Sequence, residues 1–222
     1  REVDGALLIP GLHPELFHRY EAIALDGPPI VFADRHIPGL NVDWVVTDNF
    51  RATKEAIIHL IEKGHRRIAF FTDFTELTSV LDREAGYRAG LEEKGIAFDE
   101  ELVCGQQIMR GGAWSYDFAL EHCVALSDPV TAVFCINDDI VWGAVQAASR
   151  LRLSVPDQVE ISGFFDDRIP SGISAPFSRV VQSTFEMGRV STQMLLERIS
   201  REAPPEPRHI YLPARLMPGT SE

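Results

Sequence analysis

Short apolar runs, several of them unbroken, alternate along this chain with amphipathic stretches of helical length, and that alternation narrows the possible folds more than any other feature. Residues 130–136 read Val-Thr-Ala-Val-Phe-Cys-Ile, and residues 29–33 and 67–72 are similarly apolar. A strand with one wet face alternates apolar and polar residues; these runs do not, so both of their faces are expected to be buried. Strands are expected near 3–9, 29–33, 42–47, 67–72, 102–106, 130–136, 159–165, 177–182 and 209–212. Helices are expected near 13–25, from Asp48 or Asn49 to Gly64, and near 81–94, 114–126, 138–153 and 184–201. In the second helix Ala56, Ile57, Leu60 and Ile61 form one stripe, and Gly64 and Gly95 stand where helices commonly stop. Strand–helix alternation of this kind predicts α/β architecture: parallel sheets flanked by helices, with ligand sites at the carboxyl ends of the strands.

The remaining features are mostly exclusions. A formal charge of −12 spread over 222 residues disfavours binding to a phosphate backbone by these residues themselves. No apolar run approaches membrane-spanning length. Cys104, Cys123 and Cys135 make an odd set in apolar or helical segments, which reads as buried reduced thiols in a cytoplasmic protein. No His/Cys cluster suggests a metal, no cofactor is implied, and no catalytic signature such as Gly-x-Ser-x-Gly or a P-loop is present, so the chain does not read as an enzyme. Arg1-Glu2 runs directly into a strand-like segment, from which upstream sequence is expected.

Five phrases, in order, resemble the LacI/GalR family of bacterial transcription regulators. They are VVTDNFRATKEAIIHLIEKGHRRIAFF (45–71), DREAGYRAGLEEKGI (82–96), TAVFCINDDIVWGAVQAASRLRLSVPDQVEISGFFDD (131–167), VVQSTFEMG (180–188) and LPARL (212–216). The resemblance implies a two-lobed, periplasmic-binding-protein-like ligand sensor whose first lobe is incomplete and whose helix-turn-helix head is missing. It implies lobe one at 1–65 and 183–206, lobe two at 66–182 and 207–222, and crossings near Arg66, Gln182 and Pro207. It further implies an effector held between the lobes, a sugar or sugar derivative by default with a purine or an anionic metabolite as alternatives, a homodimer, and DNA contact only through the missing head. A sugar-binding receptor of a transport system shares the architecture and is the alternative, although the Gly-His-Arg-Arg-Ile and Val-Pro-x-x-Val phrases are more like the regulators.

By the same resemblance Arg83 points from a helix start into the cleft, where its planar fork can grip paired hydroxyls or a carboxylate; alanine there is expected to abolish ligand response and spare the fold. Asn137 and Asp139 end a buried strand and open a helix, a rim position suited to sugar hydroxyls, while Asp138 is expected to serve as the helix cap. Many members read Gly-Phe-Asp-Asp where this chain reads Gly163-Phe164-Phe165-Asp166-Asp167. Phe165 is therefore expected in the place of a ligand-contacting Asp, with Asp166 in the second place. Gln107 falls near a usual ligand-stacking aromatic, and Phe74 can supply an apolar wall. Trp114 is expected in helix packing rather than at the ligand, Trp142 in the core or an interface, and His65 in packing or capping.

Overall fold

The computed structural model describes residues 3–11, 14–73, 76–105, 116–165 and 177–219. They form an α/β fold: β1 (Ala6–Leu8), α1 (Pro14–Asp26), β2 (Ile30–Ala33), β3 (Asp43–Thr47), α2 (Asn49–Glu62), β4 (Ile68–Phe71), α3 (Thr78–Glu93), β5 (Val103–Cys104), α4 (Tyr116–Ala125), β6 (Ala132–Cys135), α5 (Asp138–Arg150), β7 (Glu160–Phe165), β8 (Ser178–Val181), α6 (Thr184–Ile199), β9 (His209–Leu212) and β10 (Arg215–Met217). No helix among the described residues is long and apolar enough to cross a membrane.

The chain divides into two compact units. The first comprises residues 1–48, 76–81 and 183–213, and the second 49–75, 82–182 and 214–222. In the first unit a parallel sheet runs in the order β1-β2-β3-β9. Strand alternation sends Ile30, Phe32, Trp44 and Val46 to one face, where Tyr20, Ile23 and Ala24 of α1 cover them. Val31, Ala33 and Val45 go to the other face, against Met187 and Met194 of α6. Buried Asp43 ties this unit's ends together: it accepts from Arg198 at 2.7 and 3.0 Å, and from the Arg208 backbone and side chain at 2.7 and 3.0 Å. Burial alone would raise its pKa, but the two guanidinium groups prevail and hold it below the usual carboxylate value.

The second unit is built on a six-stranded sheet, β10-β8-β7-β6-β4-β5, parallel except for the antiparallel edge strand β10. Phe70, Phe134 and Phe164 form a row of rings on the face covered by α3, with fully buried Tyr87 stacked on Phe70 and donating to the Ile68 carbonyl at 2.8 Å. The opposite face lies under α5, where Gly163 is required: a Cβ there would stand 2.5 Å from the Cys135 carbonyl oxygen and 2.6 Å from Val141.

Two whole elements, and the first residues of α3 (within 76–81, in the first unit), fall in the unit other than the one expected from sequence. Strand β9 pairs in parallel with β3, Trp44 opposite His209 and Thr47 opposite Leu212, so residues 209–212 belong to the first unit. Helix α2 packs its backbone against Gly86 and Gly90 of α3 and so belongs to the second. The expected strand at 102–106 is also shorter. A 3-10 turn, Glu100–Leu102, capped by the Asp99 side chain accepting from the Glu101 N–H at 3.0 Å, takes up its first residue, and β5 spans only Val103–Cys104.

At the amino-terminal edge of this sheet lies the structural role of the Gly-His phrase. Buried Glu160 accepts from Lys63 at 2.5 Å and from Ser178 at 3.3 Å, and pairs with His65 Nε2 at 2.9 Å; the other ring nitrogen meets Thr131 Oγ1 at 2.9 Å. His65 thus clasps the starts of β6 and β7, and Glu160 extends the clasp to the start of β8. Burial opposes ionisation of Glu160, but hydrogen bonds from His65 and Lys63 outweigh it and take the pKa from 4.5 to about 2. Because the folded carboxyl binds its proton more weakly than the unfolded one, its stabilisation is complete above about pH 4.5 and is lost as pH falls toward 2. Glu160→Gln is expected to cost about 2–3 kcal/mol at pH 7. In urea unfolding the difference from wild type should shrink markedly at pH 3; an equal difference at both pH values would remove this clasp from the stability argument.

Candidate functional site

The parallel strands β4, β6 and β7 carry their carboxyl ends to one edge of the second unit, opposite the Glu160 clasp. A concavity of about 560 Å³ opens at that edge, and among the described residues it is lined by Asp73, Asn137, Asp139, Ile140, Trp142, Gly143 and Gln146. Asp73 follows β4; the others follow β6 or lie on the first turns of α5, so a single strand–helix junction supplies most of the wall.

That junction is set by a cap. Asn137, with an extended backbone, accepts from the Ile140 N–H through Oδ1 at 2.9 Å. The cap is therefore Asn137, not Asp138; Asp138 accepts instead from the Asp139 N–H at 3.1 Å. An N-cap consumes only the carbonyl oxygen of an asparagine side chain, which leaves the amide nitrogen as a donor at the cavity wall. Asp139 is solvent-exposed and offers acceptors only in its ionised form. Gln146 stands two helical turns further along α5 and adds a mixed donor and acceptor.

The aromatic component is Trp142, 43 % exposed on α5. Its ring meets Phe165 edge-on at 6.0 Å and Phe177 at 5.9 Å, and those two stack at 5.2 Å. Phe165 is buried at 4 % exposure, so it supports the tryptophan from behind rather than presenting its own face to the cavity. Of the two places expected for Trp142, the core is not where it lies: one edge is packed, but the rest lines the concavity. The signal available in the sequence is its position one turn after the Asn-Asp pair, on the same helical face as Asp139 and Gln146.

Arg83 is not among the lining residues. It is 6 % exposed and lies inside the second unit. Its Nε donates to Asn49 Oδ1 at 2.8 Å, Nη1 to the Ile136 carbonyl, and Nη2 to Gln182 Oε1 at 3.1 Å. Its guanidinium carbon lies 3.7 Å from the centre of the Phe164 ring. The arginine thus joins the start of α2, the end of β6 and the end of β8, and reaches the rim through the residue that precedes Asn137. Of the expected site residues, Asn137 and Asp139 share the concavity, Phe165 backs it and Arg83 braces it. Phe74, Gln107 and Asp166 lie outside the described residues, as does Trp114. No group of three or more His, Cys, Asp or Glu among the described residues could hold a metal ion.

The comparisons agree with this architecture. The family described as "periplasmic binding protein-like domain" matches residues 57–221. Over 98 % of its length the chain is 29 % identical to the HTH-type transcriptional repressor CytR of Escherichia coli K12, of which it spans 60 %. It is similar in structure to the transcriptional regulator CelR in complex with cellobiose (29 % identity, TM-score 0.80, 97 % of this chain and 64 % of that one). It is also similar to a LacI-family regulatory protein from Chloroflexus aggregans (25 % identity, TM-score 0.82, 98 % and 76 %). With two α/β units, a strand-end concavity and a family match across most of its residues, the chain belongs to the periplasmic binding protein-like domain family, in the form that LacI-type transcription regulators carry.

Proposed function

We propose that this chain is the effector-sensing part of a bacterial transcription regulator, taking a small neutral, hydroxyl-rich effector at the strand-end concavity of the second unit. The observation that carries the reading is the lining itself: a half-exposed tryptophan face beside an amide donor, two carboxylates and a glutamine. Sugar sites pair an apolar ring face with hydrogen-bonding groups of fixed direction, because a pyranose or furanose has C–H faces and hydroxyl edges. CelR is named in complex with cellobiose, which supports a sugar or sugar derivative here too. Relatives that are regulators favour this role over that of a transport receptor, the reading that the fold alone would equally permit.

Effector binding acts by biasing two arrangements of the sensor, and a coupling of about 1–3 kcal/mol to operator affinity is the usual scale. The DNA contact belongs to a separate helix-turn-helix head, since a chain of charge −12 would repel the phosphate backbone. The intact regulator works as a cytoplasmic homodimer, with two heads on two half-sites. No step in this role requires bond-making chemistry.

A thermal-shift screen of cellobiose, other mono- and disaccharides and nucleosides tests the reading. A true effector at about a hundred times its dissociation constant adds about 2.7 kcal/mol, or roughly 5–10 °C for a protein of this size. Trp142→Ala is expected to abolish that shift at little cost to folding, because nearly half of the side chain already faces solvent. A panel in which no neutral compound moves the melting point, or a Trp142→Ala protein that responds like wild type, would overturn the assignment.

A further inference from the structure

Two of the three cysteines meet. Cys104 Sγ and Cys123 Sγ lie 3.6 Å apart, 19 positions apart in sequence, at the edge of the second unit's sheet. Neither backbone is free to drift: Cys104 is held by the pairing of β5 with β4 opposite Phe71, and Cys123 lies on the same face of α4 as buried Ala119 and Leu120. Their environments differ. Cys104 is half-buried, whereas Cys123 is fully buried. The third thiol, Cys135, is enclosed in the middle of the sheet, where burial pushes its pKa up.

We propose that Cys104 and Cys123 form a peroxide-sensitive dithiol, a modification site in which Cys104 reacts with a hydroperoxide and Cys123 resolves the product to a disulfide joining β5 to α4. The hydrogen bond from Cys123 holds the Cys104 thiol below its usual range, and the same bond with burial raises that of Cys123, which gives the more accessible sulfur the greater thiolate character. The Cys104 thiolate attacks one peroxide oxygen; the O–O bond breaks, an S–O bond forms, and hydroxide leaves to be protonated as water. The Cys123 sulfur then attacks the sulfenic sulfur, giving up its proton; the S–S bond forms, the S–O bond breaks, and a second water leaves. Two thiols lose two electrons and one peroxide gains them. Sulfurs already 3.6 Å apart need to close to only about 2.05 Å, so side-chain rotation and a small backbone adjustment suffice.

The experiment uses the full chain, reduced, desalted and treated with one to ten equivalents of hydrogen peroxide. It is then quenched with catalase, unfolded and alkylated. Titratable thiols should fall from three to one, a linked peptide containing Cys104 and Cys123 should appear by mass spectrometry, and dithiothreitol should restore all three. Cys135→Ala should form the same link. In Cys123→Ala, Cys104 should stop as a sulfenic acid that dimedone traps. Three remaining thiols, a link through Cys135, or sulfinic acid on Cys104 in the wild-type protein would each overturn the proposal. The peptide mapping on wild type decides the matter even if Cys123→Ala fails to fold.

Discussion

Gly86→Val is expected to lower the melting temperature of the second unit by roughly 6–12 °C, a loss of about 3 kcal/mol or more. The reason is distance. Helices α2 and α3 approach so closely at this point that a Cβ on Gly86 would collide with the Phe50 carbonyl oxygen, and would stand 2.9 Å from Thr53 Cβ and 3.2 Å from the Lys54 backbone nitrogen. Two of those obstacles are backbone, which cannot rotate away, so relief requires the helices to separate. Gly90, one turn later on the same face, would place its Cβ 2.9 Å from Ile57 Cβ, so the separation would run along the seam and expose Ala56, Ile57 and Leu60. The helix-propensity gain of about 1 kcal/mol that a glycine ordinarily yields on replacement is too small to offset this. Gly188 supplies the control. It is exposed in α6, and a Cβ added there would meet nothing within 4 Å, so Gly188→Ala is expected to stabilise by about 0.5–1 kcal/mol. Opposite signs for the two substitutions in urea melts would support close approach at Gly86; a neutral Gly86→Val would remove the helix seam as a source of stability.

The architecture was legible because the strands declare themselves. Residues 29–33 and 130–136 are largely apolar without alternation, as expected of a sheet covered on both faces, and Gly64 and Gly95 ended α2 and α3 with positive φ, as expected. What the sequence left hidden depends on long-range pairing. Nothing local to residues 209–212 says that they hydrogen-bond to β3 rather than to the other sheet, and nothing in α2 says that its neighbour will be the glycine face of α3. The rim shows the same division. Asn137 and Asp139 were identifiable from a strand running into a helix. The exchange of capping role between Asn137 and Asp138, and the half-buried pose of Trp142 on Phe165 and Phe177, depend on backbone angles and on strands distant in sequence. Arg83 is the sharpest case. Its match to the LacI/GalR pattern marked it as important, but its helix could not reveal that Asn49, Ile136 and Gln182 converge on it.

That convergence changes the result expected of Arg83→Ala: loss of stability together with loss of effector response, rather than a silent fold with a dead site. Removing the guanidinium leaves the Ile136 carbonyl and Asn49 Oδ1 without this donor in a buried setting, at about 1–3 kcal/mol for such groups. It also deletes the packing of the cation on Phe164, worth about 1–2 kcal/mol when desolvated. The two overlap, so about 3 kcal/mol in total is expected, seen as a melting point lower by roughly 6–12 °C. The effector response should fall as well, because the arginine fixes the carbonyl immediately before Asn137, and with it the direction in which the cap presents its amide to the concavity. Arg83→Lys separates the two effects. It keeps the charge and much of the stem but has no planar fork with which to reach Asn49 and Gln182 together, so it should recover part of the stability and little of the response. The measurement is the thermal shift induced by the same sugar in wild type, Arg83→Lys and Arg83→Ala, each referred to its own unliganded melting point. A full-sized shift in Arg83→Ala on a lowered baseline would assign the residue to folding alone. A normal baseline with the shift gone would mean that the arginine reaches the effector directly and that its bonds to Asn49, Ile136 and Gln182 contribute nothing measurable to stability.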